Sequence, residues 1–151
     1  MDRLTLAAPA KLNLRLLVGP LGADGYHPVR SLIVALPDLA DTVTVERAAE
    51  RSVACEGMDG PANLAWHALD ALERRVGALP PLAVRIVKRI PPQAGLGGGS
   101  SDAAATLVAA DRLLGLGLDA KELETVAAEV GSDVPFFVRG GASWAAGRGE
   151  M

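Results

Sequence analysis

Cysteine and aromatic residues are both scarce in this chain. Cys55 stands alone among 151 residues, which excludes an internal disulfide framework and a cysteine metal cluster. So few thiols suit a reducing compartment, and a cytoplasmic location is expected. Aromatic residues make up 3% of the sequence, so a core must be packed from Ala, Leu and Val rather than from large rings. No block of Lys or Arg occurs. The formal charge of −3 argues against a nucleic-acid partner held by phosphate attraction. Polar and charged residues (Arg3, Lys11, Asn13, Arg15) interrupt the apolar N-terminal stretch, so it reads as neither a signal peptide nor a membrane span. Internal repeats and low-complexity tails are also missing. What is present is a chain of one-domain length that is 50% apolar, enough for a core.

Apolar periodicity places the elements. Leu12, Leu14 and Leu16 alternate with Asn13 and Arg15, the period of a half-buried strand. A turn-rich loop follows through Gly25, and strands are expected over Val29–Leu36 and Thr42–Arg47, with a short one at Ser52–Cys55. Asn63 is placed to cap a helix running to Val76. Leu82, Val84 and Ile86 mark a strand ending at Pro91-Pro92, and a helix is expected from about Asp102 to Leu114. Asp119 with Glu122 forms a capping-box pattern for a helix ending at Val130, with Gly131 as its stop. Pro135–Val138 and Ala142–Ala146 read as closing strands. Strands precede most helices without regular βαβ alternation, which indicates an α+β fold.

The chemistry concentrates between Ile90 and Ala110. There Gly95, Gly97, Gly98 and Gly99 lead through Ser100 and Ser101 into a helical pattern. Glycine lets backbone approach a ligand closely. A helix that starts directly after such a loop turns unpaired N–H groups and its positive dipole end toward the same point. That combination suits an anion, most often a phosphate. A P-loop would need Lys-Ser/Thr at its end, and a dinucleotide fingerprint a third glycine where Ser100 stands, so neither applies. Ser100 and Ser101 have the chemistry to cap the helix, bind phosphate or ligate Mg2+.

The run from Pro91 to Ala104, PPQAGLGGGSSDAA, resembles the second signature of the GHMP kinases, a superfamily of small-molecule ATP-dependent kinases. Pro9-Ala10-Lys11-Leu12-Asn13-Leu14 resembles the first signature. Ala23-Asp24-Gly25-Tyr26-His27 is similar to the substrate loop of the branch acting on a cytidine-diphosphate-linked methylerythritol. Asn63-Leu64, Gly131–Phe137 and Gly147–Glu150 extend the likeness in the same order from about Ala7 to Glu150.

The resemblance implies an N-terminal kinase domain, related to domain 2 of ribosomal protein S5, with a mixed or antiparallel sheet and helices on one face. It implies ATP and Mg2+ as cofactors, with the nucleotide held by Pro92, Ala94, Gly95, Leu96, Gly97, Gly98, Gly99, Ser100 and Ser101, and with Asn63 near the adenine. Lys11 and Asp133 take the catalytic roles, while Asn13, Tyr26 and His27 bind the substrate. Taken alone, Tyr26 is a ring over a loop edge, His27 and Lys11 are surface groups, and Asp133 is a turn residue. Pro28 stands where the family usually has Glu. The resemblance further implies a second domain of similar length beyond Met151. The chain is therefore expected to be the nucleotide-binding, catalytic half, with an exposed apolar face that favours a homodimer or marginal solubility. Mevalonate or homoserine phosphorylation, nucleotide binding without turnover, and RNA binding are the competing readings.

Overall fold

The computed structural model describes residues 1–149; Glu150, the last residue of the terminal motif, lies outside them. Its elements in order are β1 (Arg3–Val18), β2 (His27–Arg47), β3 (Ser52–Cys55), a 3-10 turn (Gly60–Ala62), α1 (Leu64–Val76) and β4 (Leu82–Val87). They are followed by α2 (Gly98–Leu114), α3 (Ala120–Val130), α4 (Val134–Arg139) and β5 (Ala142–Gly149). The sheet runs β1-β2-β4-β3, and β5 pairs with the first part of β2. β3 and β4 are parallel, joined across α1, and the other pairings are antiparallel.

Two expected strands are one. Val29–Leu36 and Thr42–Arg47 belong to the single strand β2. The register against β1 slips between them, Pro9 facing Ala40 while Ala10 faces Leu36. Residues 37–39 form the bulge that absorbs the slip, where the missing N–H of Pro37 costs no ladder bond.

The helices cover one face of the sheet, as expected. Ala8, Val43, Val45, Val84 and Ile86 point into a core shared with α1, α2, α3 and Val134 of α4. The opposite face is polar, with Thr5 and Thr44 sharing a 2.9 Å hydroxyl contact and Arg3 paired to Glu46 at 2.8 Å. α2 packs against α1, α3, α4 and the strands β1 and β2. A helix enclosed on so many sides cannot be amphipathic, and its alanines (103, 104, 105, 109, 110) let the neighbours approach.

Local signals placed the starts of α1 and α3. The Asn63 side chain accepts from the Ala65 amide at 2.9 Å, and the Asp119–Glu122 box is reciprocal at 2.8 and 3.0 Å. Three expectations need correction. α2 begins at Gly98 rather than near Asp102, so the last glycines of the loop are already helical. Residues 135–138 are not a strand but lie in α4. Phe136, Phe137 and Val138 suit a strand by propensity. However, Pro135 in the first turn presets helical φ, and burial of Val134 with packing of Phe137 on the core rewards the helix. Finally, β1 is a strand, but its leucine face is not buried: Leu12 is 41% and Leu14 57% exposed, while Lys11 on the other face is buried.

Candidate active site

The glycine loop is held against β1 and α4 by contacts that tolerate no side chain at Gly97. This residue caps α2 with φ +70°, and a Cβ there would lie 2.8 Å from the Phe137 ring and 3.1 Å from Cγ of Lys11. Both the left-handed backbone and the close approach demand glycine. The Lys11 amide donates to the Leu96 carbonyl at 2.9 Å, fastening the loop to the strand. The first turn of α2 then carries Gly98, Gly99 and Ser100, with N–H groups lacking helical partners. Ser101 is buried, and no protein group partners its Oγ.

Beside this loop lies a cleft of about 830 Å3, in the size range of a small-molecule site. The loop from Pro91 to Ser100 forms one wall, including Pro92, Ala94 and Gly95, and Met58, Asn63 and Leu64 line another. Asn63 lines the cleft but spends its side chain inside the protein. Its Oδ1 caps α1, and its Nδ2 donates to the Met58 carbonyl at 2.9 Å. Its role here is to fix the wall.

Lys11 and Asp133, separated by most of the chain, meet across the loop. Lys11 Nζ lies 3.9 Å from Asp133 Oδ2. The ammonium reaches Asp133 from a buried stem packed beside Gly97, while the carboxylate is 44% exposed and open to an incoming group. Asp133 precedes α4 in helical backbone (φ −89°, ψ −14°), and its side chain makes no cap bond. A carboxylate that is not tied up as a cap, beside one cation at the edge of the glycine loop, has the composition of a proton acceptor for an attacking hydroxyl.

The proposed substrate residues lie farther along the β1–β2 hairpin. Asn13, exposed and two residues on from Lys11, shares its strand face by alternation. His27 opens β2 eight residues before Ala35, the partner of Lys11, about 26 Å along an extended strand. His27 Nδ1 bonds the Gly19 carbonyl at 2.8 Å, and the Tyr26 amide donates to Asp24 Oδ1 at 3.1 Å, so the loop is locally ordered. The structure joins Lys11, Asp133 and the glycine loop; it does not bring Tyr26 and His27 into contact with them.

A buried ion cluster behind the loop is absent from the sequence reading. Lys88 Nζ donates to Asp41 Oδ2 at 2.5 Å and to Asp102 Oδ2 at 2.9 Å. Asp41 Oδ1 accepts the amides of Arg89 and Ile90 at 2.6 and 2.9 Å. Burial works to raise the pKa of Asp41, but these amides and Lys88 prevail and hold it below the usual carboxylate value. Burial also pushes Asp102 up, to about 7, against the opposing pull of Lys88. Lys88 is itself raised, since the two carboxylates outweigh its burial. The sequence offered one faint signal, a charged residue directly after an apolar strand and just before Pro91-Pro92.

The sequence description of the GHMP kinases N terminal domain matches residues 63–141, more than half of the chain, and the chain belongs to this family. ATP is the family's general phosphoryl donor. The chain is similar to the 4-diphosphocytidyl-2-C-methyl-D-erythritol kinase of Anaeromyxobacter dehalogenans, 51% identical over 98% of this chain and 49% of that protein. It is also similar to the enzyme of the same name from Geobacter metallireducens, 46% identical over 100% of this chain and 55% of that one. The chain thus spans about half the length of the curated relatives it matches. A crystal structure of a 4-(cytidine 5'-diphospho)-2C-methyl-D-erythritol kinase superposes with TM-score 0.82 at 38% identity, over 95% of this chain and 52% of that one. Mevalonate kinase from Methanococcus jannaschii, at TM-score 0.71, 16% identity and 95% and 53% coverage, shares the fold alone.

Proposed function

We propose that this GHMP kinase domain binds ATP in the glycine-loop cleft and supplies the catalytic pair for phosphorylating a hydroxyl of 4-diphosphocytidyl-2-C-methyl-D-erythritol. The observation that carries the reading is the meeting of Lys11 and Asp133 at 3.9 Å beside Gly97. An alcohol is a weak nucleophile at neutral pH. Asp133 takes its proton as attack proceeds, and Lys11 steadies the negative charge developing on the transferring oxygens. Asp133 binds neither Lys11 closely nor a helix amide, so its second oxygen is available to the hydroxyl.

The nucleotide fits the residues present. Gly97, Gly98, Gly99 and Ser100 offer backbone donors at the positive end of a 17-residue helix. Pro92, Ala94, Gly95, Leu96 and Ser100 line the same cleft, and the Ser100 hydroxyl adds a donor or acceptor there. Among the described residues no cluster of three His, Cys, Asp or Glu could cage a metal. Mg2+ would be held by the ATP phosphates with the Ser100 hydroxyl beside them, and would supply positive charge to neutralise the phosphates. Asn13, Tyr26 and His27 receive the rest of the substrate, with the Tyr26 ring for stacking and the His27 imidazole for edge contacts to cytosine. The identities of 51% and 46% to proteins named for this activity support the choice of substrate.

The test uses the full chain, alone and joined to the C-terminal half of the Anaeromyxobacter relative. ATP and cytidine-substrate binding are measured separately, and ADP release is then followed with both present. Release that requires the cytidine substrate is the expected result. Binding of ATP with no release from either form would reduce the domain to a nucleotide-binding module. Release with mevalonate or homoserine in place of the cytidine compound would overturn the substrate assignment.

A further inference from the structure

The phosphate loop leaves β4 at Lys88-Arg89-Ile90 and enters α2 at Gly98, and one side chain touches both ends. Lys88 Nζ bonds Asp102 of α2 at 2.9 Å and Asp41 of β2 at 2.5 Å. Asp41, fully buried, also receives the amides of Arg89 and Ile90, so the outgoing backbone is fixed to the same carboxylate. Ile90 Cγ2 and Lys88 Nζ lie 3.2 and 3.0 Å from where a Cβ on Gly98 would stand, so the two ends of the loop pack on one another there. The other oxygen of Asp102, Oδ1, is buried without a partner, although Asp102 and Lys88 both line the cleft. A charge set this enclosed is costly for stability alone. Its placement at both loop ends gives it a positional role.

We propose that Lys88 is a positioning residue: by clamping Asp41 to Asp102 it closes the base of the Pro91–Gly97 loop and aims the first amides of α2 into the cleft. The proposal rests on the reading that this loop holds the ATP phosphates. It differs from a direct phosphate contact in that two of the three Lys88 donors are already spent on the two carboxylates.

The test compares the full wild-type chain with Lys88→Met, Lys88→Arg and Asp102→Asn. Hydrogen exchange of the amides at residues 91–101 is followed without nucleotide, alongside ATP affinity and thermal unfolding. Lys88→Met is expected to speed exchange at least tenfold across that loop, with little change in α3, and to weaken ATP binding tenfold or more. Lys88→Arg should restore part of both. A Lys88→Met chain whose nucleotide-free loop exchanges as slowly as wild type overturns the clamp, whatever its ATP affinity. If Lys88→Met fails to fold, Asp102→Asn takes its place, retaining the side-chain shape and one acceptor for Lys88. Loop exchange faster by severalfold supports the clamp, and unchanged exchange overturns it. Failure of the wild-type chain to bind ATP would overturn the kinase reading, while the exchange data would still decide the clamp.

Discussion

The two ends of the long β1–β2 ladder share one alternating pattern and meet different fates. Where Arg3–Lys11 faces Ala35–Glu46, helices lie across the sheet, and Ala8, Ala10, Val43 and Val45 are buried. Where the hairpin continues past Lys11, β5 flanks β2 within the sheet, and Leu12, Leu14, Leu17 and Val18 stand 41–57% exposed. Alternation therefore specifies a strand but not which face is covered. Burial depends on a neighbouring layer, which strand residues do not encode. The candidate site divides along the same line: the proposed catalytic pair and the glycine loop belong to the packed end, and Tyr26 and His27 to the open one.

The largest expected effect tests the packed end's chemistry. Asp133→Asn or Lys11→Met should lower turnover by about 10²- to 10⁴-fold, the usual contribution of a positioned acid–base group. Unfolding curves should remain close to wild type, since the Asp133 side chain makes no cap bond and Met retains the packed stem of Lys11. ADP release with the cytidine substrate measures the first, and near-normal rates would remove the residue from the mechanism.

Next comes the contrast in packing. Leu69→Ala removes a fully buried side chain from α1 and should cost about 2–5 kcal/mol in a denaturant titration. Leu14→Ala, at the open end, should stay within about 0.5 kcal/mol. Equal losses would mean that the open end is covered in solution.

The two caps of α2 give a finer test. Gly115→Ala meets open space at φ +63° and should cost only left-handed strain, about 1–2 kcal/mol. Gly97→Ala adds a 2.8 Å clash with Phe137 to similar strain, so it should be the more destabilising and should also weaken ATP binding. Equal midpoints for the two variants would show that Phe137 moves aside freely.

The smallest expected effect is a pH slope. Folding raises Asp102 from 3.8 to about 7, so across that window the folded chain binds more protons than the unfolded one. Its contribution makes stability fall as pH rises from 3.8 toward 7 and level off above. Asp41 is lowered, so its favourable contribution begins to fade only as pH drops below 3.8. Asp102→Asn should flatten the change in unfolding midpoint between pH 5 and pH 8. An unaltered slope would assign it to other groups.

Much of this protein was legible in its sequence because the signals are local. Asn63 and the Asp119–Glu122 pair fix helix starts through hydrogen bonds two or three residues away. The glycine–serine run announces a loop that opens a helix because backbone freedom and helix polarity depend on adjacent residues. Other features were ambiguous at short range. Pro135–Val138 fits either period over so few residues, and contact with the core resolved it as helix. What tertiary structure alone decided is which distant groups meet. Lys11 reaches Asp133, Phe137 closes on Gly97, and Asp41, Lys88 and Asp102 converge from β2, the end of β4 and α2. The sequence by itself determined that a glycine-rich loop opens a helix. Chain packing determined what holds that loop and what faces it, because a charge pair is a property of separation in space rather than along the chain.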